Sequence, residues 1–365
     1  MLRFGIIRLS KWLMAIGASR RSAIISILAP PMPVAATRGC IPSGGYDRQW
    51  VRASSTVGDR AQLLRVVQFN ILADGLSGKS PRSGGFMHTP PEALEWTYRR
   101  DLIIEEVFRH FPAATPPDVV AMQEVDHYDE LLEIMASRGY AGTFLKKPDS
   151  PCKRSLDPSL EDGCALFWRR AALTVEGVQQ HQYVTGLQNG RVAIGGSNQV
   201  AILAALRRPG AAKPILVGVT HLSAEKSSEG ERSRVAQVGE LCAWLQAAAE
   251  RWDAAATVAL LDMNGAPRST NNKYEPAAYP AAVGGRLRSA YQLVLGAEPA
   301  WTTWKRRGGE ELKMTLDYVL VSPEVTCHRV LLPPDDADVD SERLPGWRYP
   351  SDHVMLAAEL SVVDG

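Results

Sequence analysis

The chain has 365 residues, and its 41 Lys and Arg residues nearly balance its 40 Asp and Glu residues, giving a net charge of +1. A hydrophobic fraction of 45% is ordinary for a soluble globular protein and is enough to form a sizeable core. The charge balance excludes a global positive field that would attract long polyanions. No apolar run is long enough to cross a membrane.

The cysteines indicate neither a disulfide framework nor a zinc site. They are scattered, odd in number and never in a CxxC pair, so we expect reduced thiols packed as small apolar residues. These residues are Cys40, Cys152, Cys164, Cys242 and Cys327.

The N-terminal segment is typical of an organelle transit peptide. The first acidic residue is Asp47, and before it come arginines, serines and apolar residues that can share one helical face. We therefore predict that residues 1–45 direct import into mitochondria, or alternatively into plastids. A secretory or twin-arginine signal, AIISILAPPMPVAA after Arg20 and Arg21, is another alternative, as is a disordered leader on a cytoplasmic protein. The Gly, Ser and Arg mixture that follows predicts a linker over residues 46–61.

One domain is predicted from residue 62 to residue 363. Short apolar runs predict strands near 64–69, 118–124, 164–168, 199–206, 214–220, 256–262, 315–321 and 354–362. Helical spacing occurs in PPEALEWTYRRDLIIEEVFRHF, YDELLEIMASRGY and GERSRVAQVGELCAWLQAAAERW. Strands that alternate with helices and with hairpin-like pairs predict an α/β fold in which two packed sheets are flanked by helices.

Polar side chains recur where the apolar runs end. The runs RVVQFN, VVAMQE and ILVGVTH end in Asn70, Glu124 and His221. Others stand at strand edges in LLDMN, MTLDYV and PSDHVML, namely Asp262, Asn264, Asp317, Asp352 and His353. Burying a polar group at the edge of an apolar strand is costly unless it has a partner. Their repetition predicts a single site where strand ends converge.

Carboxylates and carboxamides without thiolates or a histidine cluster predict a site for magnesium, or manganese, rather than zinc. Glu124 is the best ligand candidate because it follows a run too apolar to be solvated; the alternative is an exposed acid that opens the next loop. Asp262 and Asn264 lie two residues apart and can point to the same side, where they can activate a water and stabilise an oxyanion. The alternative for this pair is an Asn-Gly turn.

The remaining polar residues also have structural alternatives. Asp352 and His353 can serve a second metal position and a phosphate oxygen, or they can cap a helix or strand. Asp317 is flanked by apolar residues and needs a partner, and orienting a histidine is a common use of such a carboxylate. His221 can donate to a phosphate or can be structural.

The ordered motifs QFN, QEVDHY, THL, DMN, LDYV and SDH resemble those of the magnesium-dependent endonuclease/exonuclease/phosphatase superfamily. The similarity extends over about 62–363 and is strongest to the nocturnin and deadenylase branch, through VVQFNILADGL, DGCALFW, TTWK and LPGWRYPSDH among others. The resemblance implies that this domain is catalytic and has a four-layer α/β/β/α sandwich fold.

The resemblance also implies a role for each polar residue. Three are expected on the metal side, with the first as principal ligand: Glu124, Asn70 and Asp352. Five are expected in catalysis. Asp262 is expected to be the water-activating base and Asn264 a transition-state donor. His353 and His221 are expected to bind phosphate through their imidazoles, with Asp317 holding His353. Three are expected to bind substrate: Lys147, Trp304 and Lys226.

Two observations concern the substrate. The nocturnin branch has basic residues after THL where this chain has Ser223 and Glu225, which weakens phosphate binding unless Lys226 turns inward. Trp304 lies where relatives hold an aromatic region that contacts adenine, and a core aromatic is the alternative.

The expected reaction is metal-assisted hydrolysis of a phosphate ester by in-line attack of water. The resemblance implies removal of the 2′-phosphate of NADP(H), and the leader and neutral charge fit a dinucleotide better than a long RNA. One alternative is a 3′–5′ exoribonuclease on the adenine-rich 3′ end of RNA, with Trp304 stacking a base. A second alternative is a non-catalytic nucleotide-binding scaffold, which the intact set of acids and amides disfavours.

Overall fold

The computed structural model describes residues 45–54, 63–78, 85–155, 157–195, 197–269 and 274–362. Its first sheet has the strand order β1-β16-β17-β2-β3-β5-β4, and the strands are β1 (Trp50–Arg52), β2 (Leu64–Asn70), β3 (Val119–Val125), β4 (Tyr140–Lys146), β5 (Gly163–Arg169), β16 (Val325–Leu331) and β17 (Leu356–Val362). Its second sheet has the order β12-β15-β11-β10-β9-β6, and the strands are β6 (Thr174–Gln182), β9 (Val200–Arg207), β10 (Ile215–His221), β11 (Ala256–Asp262), β12 (Arg288–Ser289) and β15 (Asp317–Val321). Two separate hairpins pair β7 (Thr185–Gln188) with β8 (Arg191–Ile194) and β13 (Thr303–Arg307) with β14 (Glu310–Met314).

Four of the described helices cover the outer faces of the two sheets: α1 (Trp96–Arg109), α2 (Tyr128–Ser137), α3 (Ser228–Arg251) and α4 (Ala278–Val283). Another helix, α5 (Ala290–Leu295), packs against the core between the sheets. One apolar cluster lies between α1, α2 and the first sheet, a second between the sheets, and a third between the second sheet and α3 and α4. Three interfaces of this kind define four layers, so the predicted α/β/β/α sandwich is confirmed. No described helix is long and apolar enough to cross a membrane.

The central strands of both sheets are largely apolar because both of their faces are covered. In β2, Val66 faces the other sheet and Val67 faces the helices, as the two-residue period of a strand requires. The helices follow the usual end signals. Ser227 Oγ accepts from Gly230 N (3.1 Å) at the start of α3, and Gly139 adopts φ +88° just after α2.

The predicted linker over residues 46–61 is wrong for its first part. Tyr46 is buried and its ring stacks on Tyr349 with centroids 5.7 Å apart. Strand β1 pairs antiparallel with β16, so the segment 45–54 belongs to the domain. The overall content of Gly, Ser and Arg favoured a linker, although Tyr46, Arg48 and Trp50 recur at the two-residue spacing of a strand. The rest of the linker, 55–61, and residues 1–44 of the predicted transit peptide lie outside the described residues.

A buried ion pair attaches this segment to α1. Arg48 Nη1 lies 2.8 Å from Glu106 Oε1, which also lies 3.0 Å from His110 Nε2 and accepts from the Tyr349 hydroxyl at 3.2 Å. Burial raises the pKa of Glu106, but His110 and Arg48 outweigh burial and lower it to about 2. A lowered pKa in the folded state stabilises the protein above the unfolded value of about 4.5.

We expect Glu106→Gln to lower the free energy of unfolding at pH 7 by about 3–5 kcal/mol, because it leaves Arg48 buried without its partner. The difference from wild type should shrink as the pH falls from about 4.5 to about 2, the window in which Glu106 is protonated on unfolding and then in the fold. Denaturant titrations at several pH values measure both effects. Glu229→Gln, at the surface pair with Arg232, is the matched control, and equal destabilisation by both variants would contradict the assignment.

Candidate active site

The polar residues meet at one edge of the interface between the two sheets. In the second sheet, His221 on β10 is paired with Asp262 on β11, and Asp262 with Asp317 on β15. In the first sheet, Asn70 on β2 is paired with Gln123 on β3. Each of these side chains follows, at two-residue spacing, the apolar residues of its strand that pack between the sheets. The predicted convergence of strand ends is therefore observed.

Unusual backbone conformations position two of the acidic and amide side chains. Glu124 has φ +57° and lies at a register shift between β3 and β5, which makes it a bulge residue. Asn264 has φ +55°, and its N–H donates to Asp262 Oδ1 at 2.9 Å. Non-glycine residues with positive φ are strained and cluster at functional sites, and bulges redirect side chains. Glu124 is half-buried rather than a fully exposed acid, and Asn264 lies at the site in a strained turn.

The carboxamide of Asn70 lies between two carboxylates. Its Nδ2 donates to Glu124 Oε1 at 3.1 Å and to Asp262 Oδ2 at 2.9 Å. Its Oδ1 accepts from Leu72 N at 3.1 Å, which fixes this orientation of the amide. In this orientation the amide nitrogen of Asn70 faces both carboxylates and joins them. The expected role of Asn70 as a metal ligand remains a prediction.

His353 is oriented by Asp317, as predicted. Its Nδ1 lies 2.9 Å from Asp317 Oδ2 and 3.8 Å from Asp262 Oδ2. Burial lowers the pKa of His353, but Asp317, Asp352 and Asp262 outweigh it and raise the pKa to about 9. The imidazole is therefore protonated at neutral pH, and a bond at Nδ1 leaves Nε2 as its second donor.

Asp262 is ionised although it is fully buried. Burial raises its pKa, but His221, His353 and the bond from Asn70 outweigh burial, so the pKa lies below its ordinary value. His221 Nε2 lies 3.5 Å from Asp262 Oδ2. Burial and the positive charge of Lys147 lower the pKa of His221. The pKa values of the two histidines are therefore shifted in opposite directions.

Two groups of residues are candidates for a metal. Asp262, Asp317 and His353 offer ligand atoms that all lie within 4.8 Å of one another, so this buried group is a candidate metal site. However, Asp317 already accepts bonds from Gln68 Nε2 (3.1 Å), Thr302 Oγ1 (2.5 Å) and His353. Such a carboxylate is better suited to orient the histidine than to bind a cation.

Glu124 and Asp262 form the second candidate pair. Both are carboxylates, one amide nitrogen bridges them, and among the described residues Glu124 has no ion-pair partner within 4.0 Å. Magnesium is commonly held by one or two carboxylates together with waters and substrate phosphate. The donor set therefore fits a magnesium ion at Glu124 and Asp262, with manganese as a chemically similar alternative.

Asp352 lies between Lys305 and His353. Its Oδ2 lies 2.5 Å from Lys305 Nζ and 4.0 Å from His353 Nε2. Burial raises the pKa of Asp352, but Lys305 and His353 outweigh burial and hold it well below its usual range. Asp352 therefore anchors Lys305 and adds negative charge beside His353, and its expected role on the metal side remains a prediction.

The three predicted substrate-binding residues differ in position. Lys147 is buried, and its Nζ lies 2.6 Å from Asp162 Oδ2. Burial lowers the pKa of Lys147, but the negative charges of Asp162 and Glu124 outweigh burial and raise it. The positive charge of Lys147 in turn lowers the pKa of His221. Lys226 does turn inward, and its Nζ donates to the carbonyl oxygen (2.9 Å) and Oδ1 (3.1 Å) of Asn264. Burial and the charge of Arg234 lower the pKa of Lys226 to about 7.

Trp304 is the core aromatic of the two alternatives, so its assignment to substrate binding is corrected. It is only 8% exposed, and its ring lies edge-on to Trp301 with centroids 5.5 Å apart. Lys313 Nζ and Arg343 Cζ lie 3.8 and 4.2 Å from the ring centroid, and Nε1 donates to Glu311 Oε1 at 2.7 Å. A base cannot stack on a ring that these cations cover.

Several residues of the site were missed in the sequence. They support the catalytic groups from behind, and they are Gln68, Gln123, Asp162, Thr302 and Lys305. A signal existed for the two glutamines, because each interrupts an apolar strand two residues or one residue before a predicted site residue. Thr302 gave no such signal, since a threonine beside a tryptophan is ordinary in a strand.

Comparison with known proteins identifies relatives of the whole domain. The profile of the Endonuclease/Exonuclease/phosphatase family matches residues 67–353. Nocturnin of Rattus norvegicus is 34% identical over 327 residues, which cover 87% of this chain and 70% of the rat protein. Nocturnin of Drosophila melanogaster is 33% identical over 82% of this chain, and the chain spans 47% of the fly protein's length.

Solved structures agree with this relationship. The human nocturnin catalytic domain with a bound sulfate anion superposes with a TM-score of 0.65 and 28% sequence identity, covering 90% of this chain and 100% of that domain. ANGEL2, a 2′,3′-cyclic phosphatase, superposes with a TM-score of 0.63 over 87% of this chain and 99% of its own. At 17% identity, the second likeness concerns the fold alone.

We expect Glu124→Gln to lower kcat/KM by roughly 10²-fold or more, because several kcal/mol of transition-state stabilisation depend on the bound cation. The melting temperature should not change, since glutamine can still accept from Asn70. Steady-state kinetics and calorimetric titration with magnesium measure the two effects. Glu133→Gln, an exposed position on α2, is the control. A folded Glu124→Gln protein with wild-type activity at low magnesium would contradict the assignment.

Proposed function

The chain belongs to the Endonuclease/Exonuclease/phosphatase family as a homologue of the nocturnins, and we propose that it is a magnesium-dependent phosphatase that removes the 2′-phosphate of NADP(H). The observation that carries the proposal is the set of contacts around Asp262. This ionised carboxylate is bridged by Asn70 to Glu124 and lies beside the protonated imidazole of His353. A base, a cation site and an acidic donor within one small volume suit hydrolysis of a phosphate ester.

Glu124 and Asp262 would hold the magnesium ion, which when bound neutralises charge on the phosphate oxygens. Asp262 is ionised and can accept a proton from the attacking water, whose oxygen forms the new bond to phosphorus. The ester bond between phosphorus and the ribose oxygen breaks, and the ribose oxygen keeps the bonding electrons and takes up a proton. The products are the free 2′-hydroxyl and inorganic phosphate, so one water is consumed for each ester hydrolysed.

His353 and Asn264 act on the charge that develops during this step. His353 is held by Asp317 and can donate from Nε2 to a phosphate oxygen or to the departing oxygen. Asn264 is fixed beside Asp262 and accepts from Lys226, and Lys147 lies at the same site in an ion pair with Asp162. Such fixed donors stabilise a transition state without having to reorganise when it forms.

The substrate part of the proposal rests on the nocturnin likeness and on charge. The chain has no excess of basic residues of the kind that grips long nucleic acid, and Lys147, Lys226 and Lys305 lie close to the catalytic carboxylates. The human nocturnin catalytic domain carries a sulfate anion, which resembles phosphate in shape and charge. The exoribonuclease alternative loses the support expected from Trp304, whose ring is covered.

We expect the purified protein to release phosphate from NADPH in the presence of magnesium, and to do so faster than it shortens an oligoadenylate. Phosphate release and gel analysis of a 5′-labelled 15-mer measure the two reactions side by side. Addition of a chelator should stop the reaction, and the Glu124→Gln protein controls for contaminating phosphatases. Shortening of the oligoadenylate with NADPH untouched would replace the proposal by the exoribonuclease. Inactivity on both substrates at saturating magnesium would favour the nucleotide-binding scaffold.

We also propose a mitochondrial location, directed by residues 1–45, which carry arginines and no acidic residue. This proposal comes from the sequence alone, because residues 1–44 lie outside the described part of the chain. A fusion of this segment to a fluorescent protein should enter mitochondria, and replacement of its arginines by glutamine should abolish import. A fusion that stays cytosolic, or that enters plastids or the secretory route, would reject the proposal.

A further inference from the structure

The lysines that lie close to the catalytic carboxylates differ in how their charge is balanced. Lys147 is paired with Asp162 and Lys305 with Asp352, at 2.6 and 2.5 Å. Lys226 donates instead to two uncharged oxygens, the carbonyl and the amide oxygen of Asn264. Within the described ranges no carboxylate oxygen lies within 4.0 Å of Lys226 Nζ. A half-buried amino group held only by neutral oxygens carries its positive charge most favourably when an anion lies beside it.

The backbone before Lys226 is fixed, so its position is not an accident of a long side chain. Arg234 Nη1 donates to the carbonyl oxygens of Ser223 (2.9 Å) and Glu225 (2.6 Å). Arg234 is itself paired with Glu231 Oε2 at 2.7 Å, which fixes the guanidinium group beside the loop. The carboxylate side chain of Glu225 is exposed, while its carbonyl points to Arg234.

Asn264, the hydrogen-bond partner of Lys226, is held in place by the same region of the fold. Glu231 Oε1 accepts from Ala277 N (2.6 Å) and Ala278 N (2.7 Å), at the end of the loop that Asn264 begins. Asn264 Nδ2 donates to Leu222 O at 3.1 Å, which joins this loop to the one that carries Lys226. The first turns of α3 therefore fix both loops. They hold the amino group of Lys226 against Asn264, which in turn contacts Asp262.

We propose that Lys226 makes this site select a phosphomonoester dianion over a phosphodiester monoanion. The inference rests on the proposed function, because it assumes that phosphate binds beside Asp262 and Asn264. A terminal phosphate carries about two negative charges at neutral pH, whereas each diester phosphate carries one. A cation without a carboxylate partner attracts the dianion more strongly, and in a partly buried site the solvent screens this difference only weakly. Lys147 and Lys305 are already neutralised and discriminate less.

The test compares binding of inorganic phosphate with binding of dimethyl phosphate, a diester monoanion, by calorimetry in the presence of magnesium. Wild-type protein should bind inorganic phosphate more tightly. Lys226→Gln can still donate to Asn264 but lacks the charge, so it should weaken phosphate binding about tenfold or more and dimethyl phosphate binding less than about threefold. Lys226→Arg should retain the preference. Lys213→Gln, at an exposed lysine paired with Asp253, is the control for net charge.

Equal weakening of both ligands by Lys226→Gln, or an unchanged preference, would overturn the inference, as would a wild-type protein without preference. Lys226→Met is the second uncharged variant should the glutamine variant fail to fold. The measurement does not depend on turnover of NADPH. A wild-type protein that leaves NADPH intact but prefers inorganic phosphate through Lys226 would reject the proposed substrate and keep this inference. Phosphate release from NADPH without that preference would do the reverse.

Discussion

The contact on which the rest of the site depends is the carboxamide of Asn70 between Glu124 and Asp262. One carboxylate belongs to the first sheet and the other to the second, so this single amide joins the two halves of the sandwich at their catalytic edge. Two like charges at this separation repel, and a donor between them reduces the repulsion until a cation is bound. Because Leu72 fixes the amide oxygen, the two carboxylates are held in place before any ligand arrives.

A buried network of amides and acids extends this contact into the core. Gln68 donates to Gln123 (2.9 Å) and to Asp317 (3.1 Å), and Asp317 in turn orients His353. Partly satisfied buried networks are costly, whereas fully connected ones are rigid and specify one arrangement. The strained backbone at Glu124 adds a cost of order 1–3 kcal/mol. The packed interfaces on both sides of each sheet are what allow the fold to hold such a site.

The layered fold could be predicted because it depends on patterns that sequence reports directly. Apolar runs gave the central strands of both sheets, and helical spacing gave α1, α2 and α3, each close to its observed bounds. Several elements were not predicted, including the largely buried strands β4 and β16. Others have weak patterns. Strand β6 is largely polar because it forms an edge of the second sheet, and β13 and β14 carry runs of charged residues in a partly exposed hairpin.

The identity of the site residues could be predicted, but several of their roles could not. Asp317 had to find a partner because apolar residues surround it, and that reasoning led to His353. The position of an asparagine in the sequence does not show which way its amide group is turned. The orientation of Asn70 followed only from the hydrogen bond that Leu72 N donates to its Oδ1. The pairing of Asp352 with Lys305 joins residues 47 apart in the chain, and no local pattern reports such a contact. The motifs therefore locate the functional side chains, whereas contacts between residues far apart in the chain determine their charge.

The charges at the site are arranged so that proton transfer needs little rearrangement. Asp262 is ionised and His353 protonated, although burial opposes both states, because each stabilises the other and Asp317 adds a second negative charge beside the imidazole. In water this pair would gain little, since solvent screens charges at the surface. Between two sheets the same charges interact strongly and remain fixed in direction. Burial therefore lowers the stability of the fold, but it also allows Asp262 to act as a base and His353 as an acid at neutral pH.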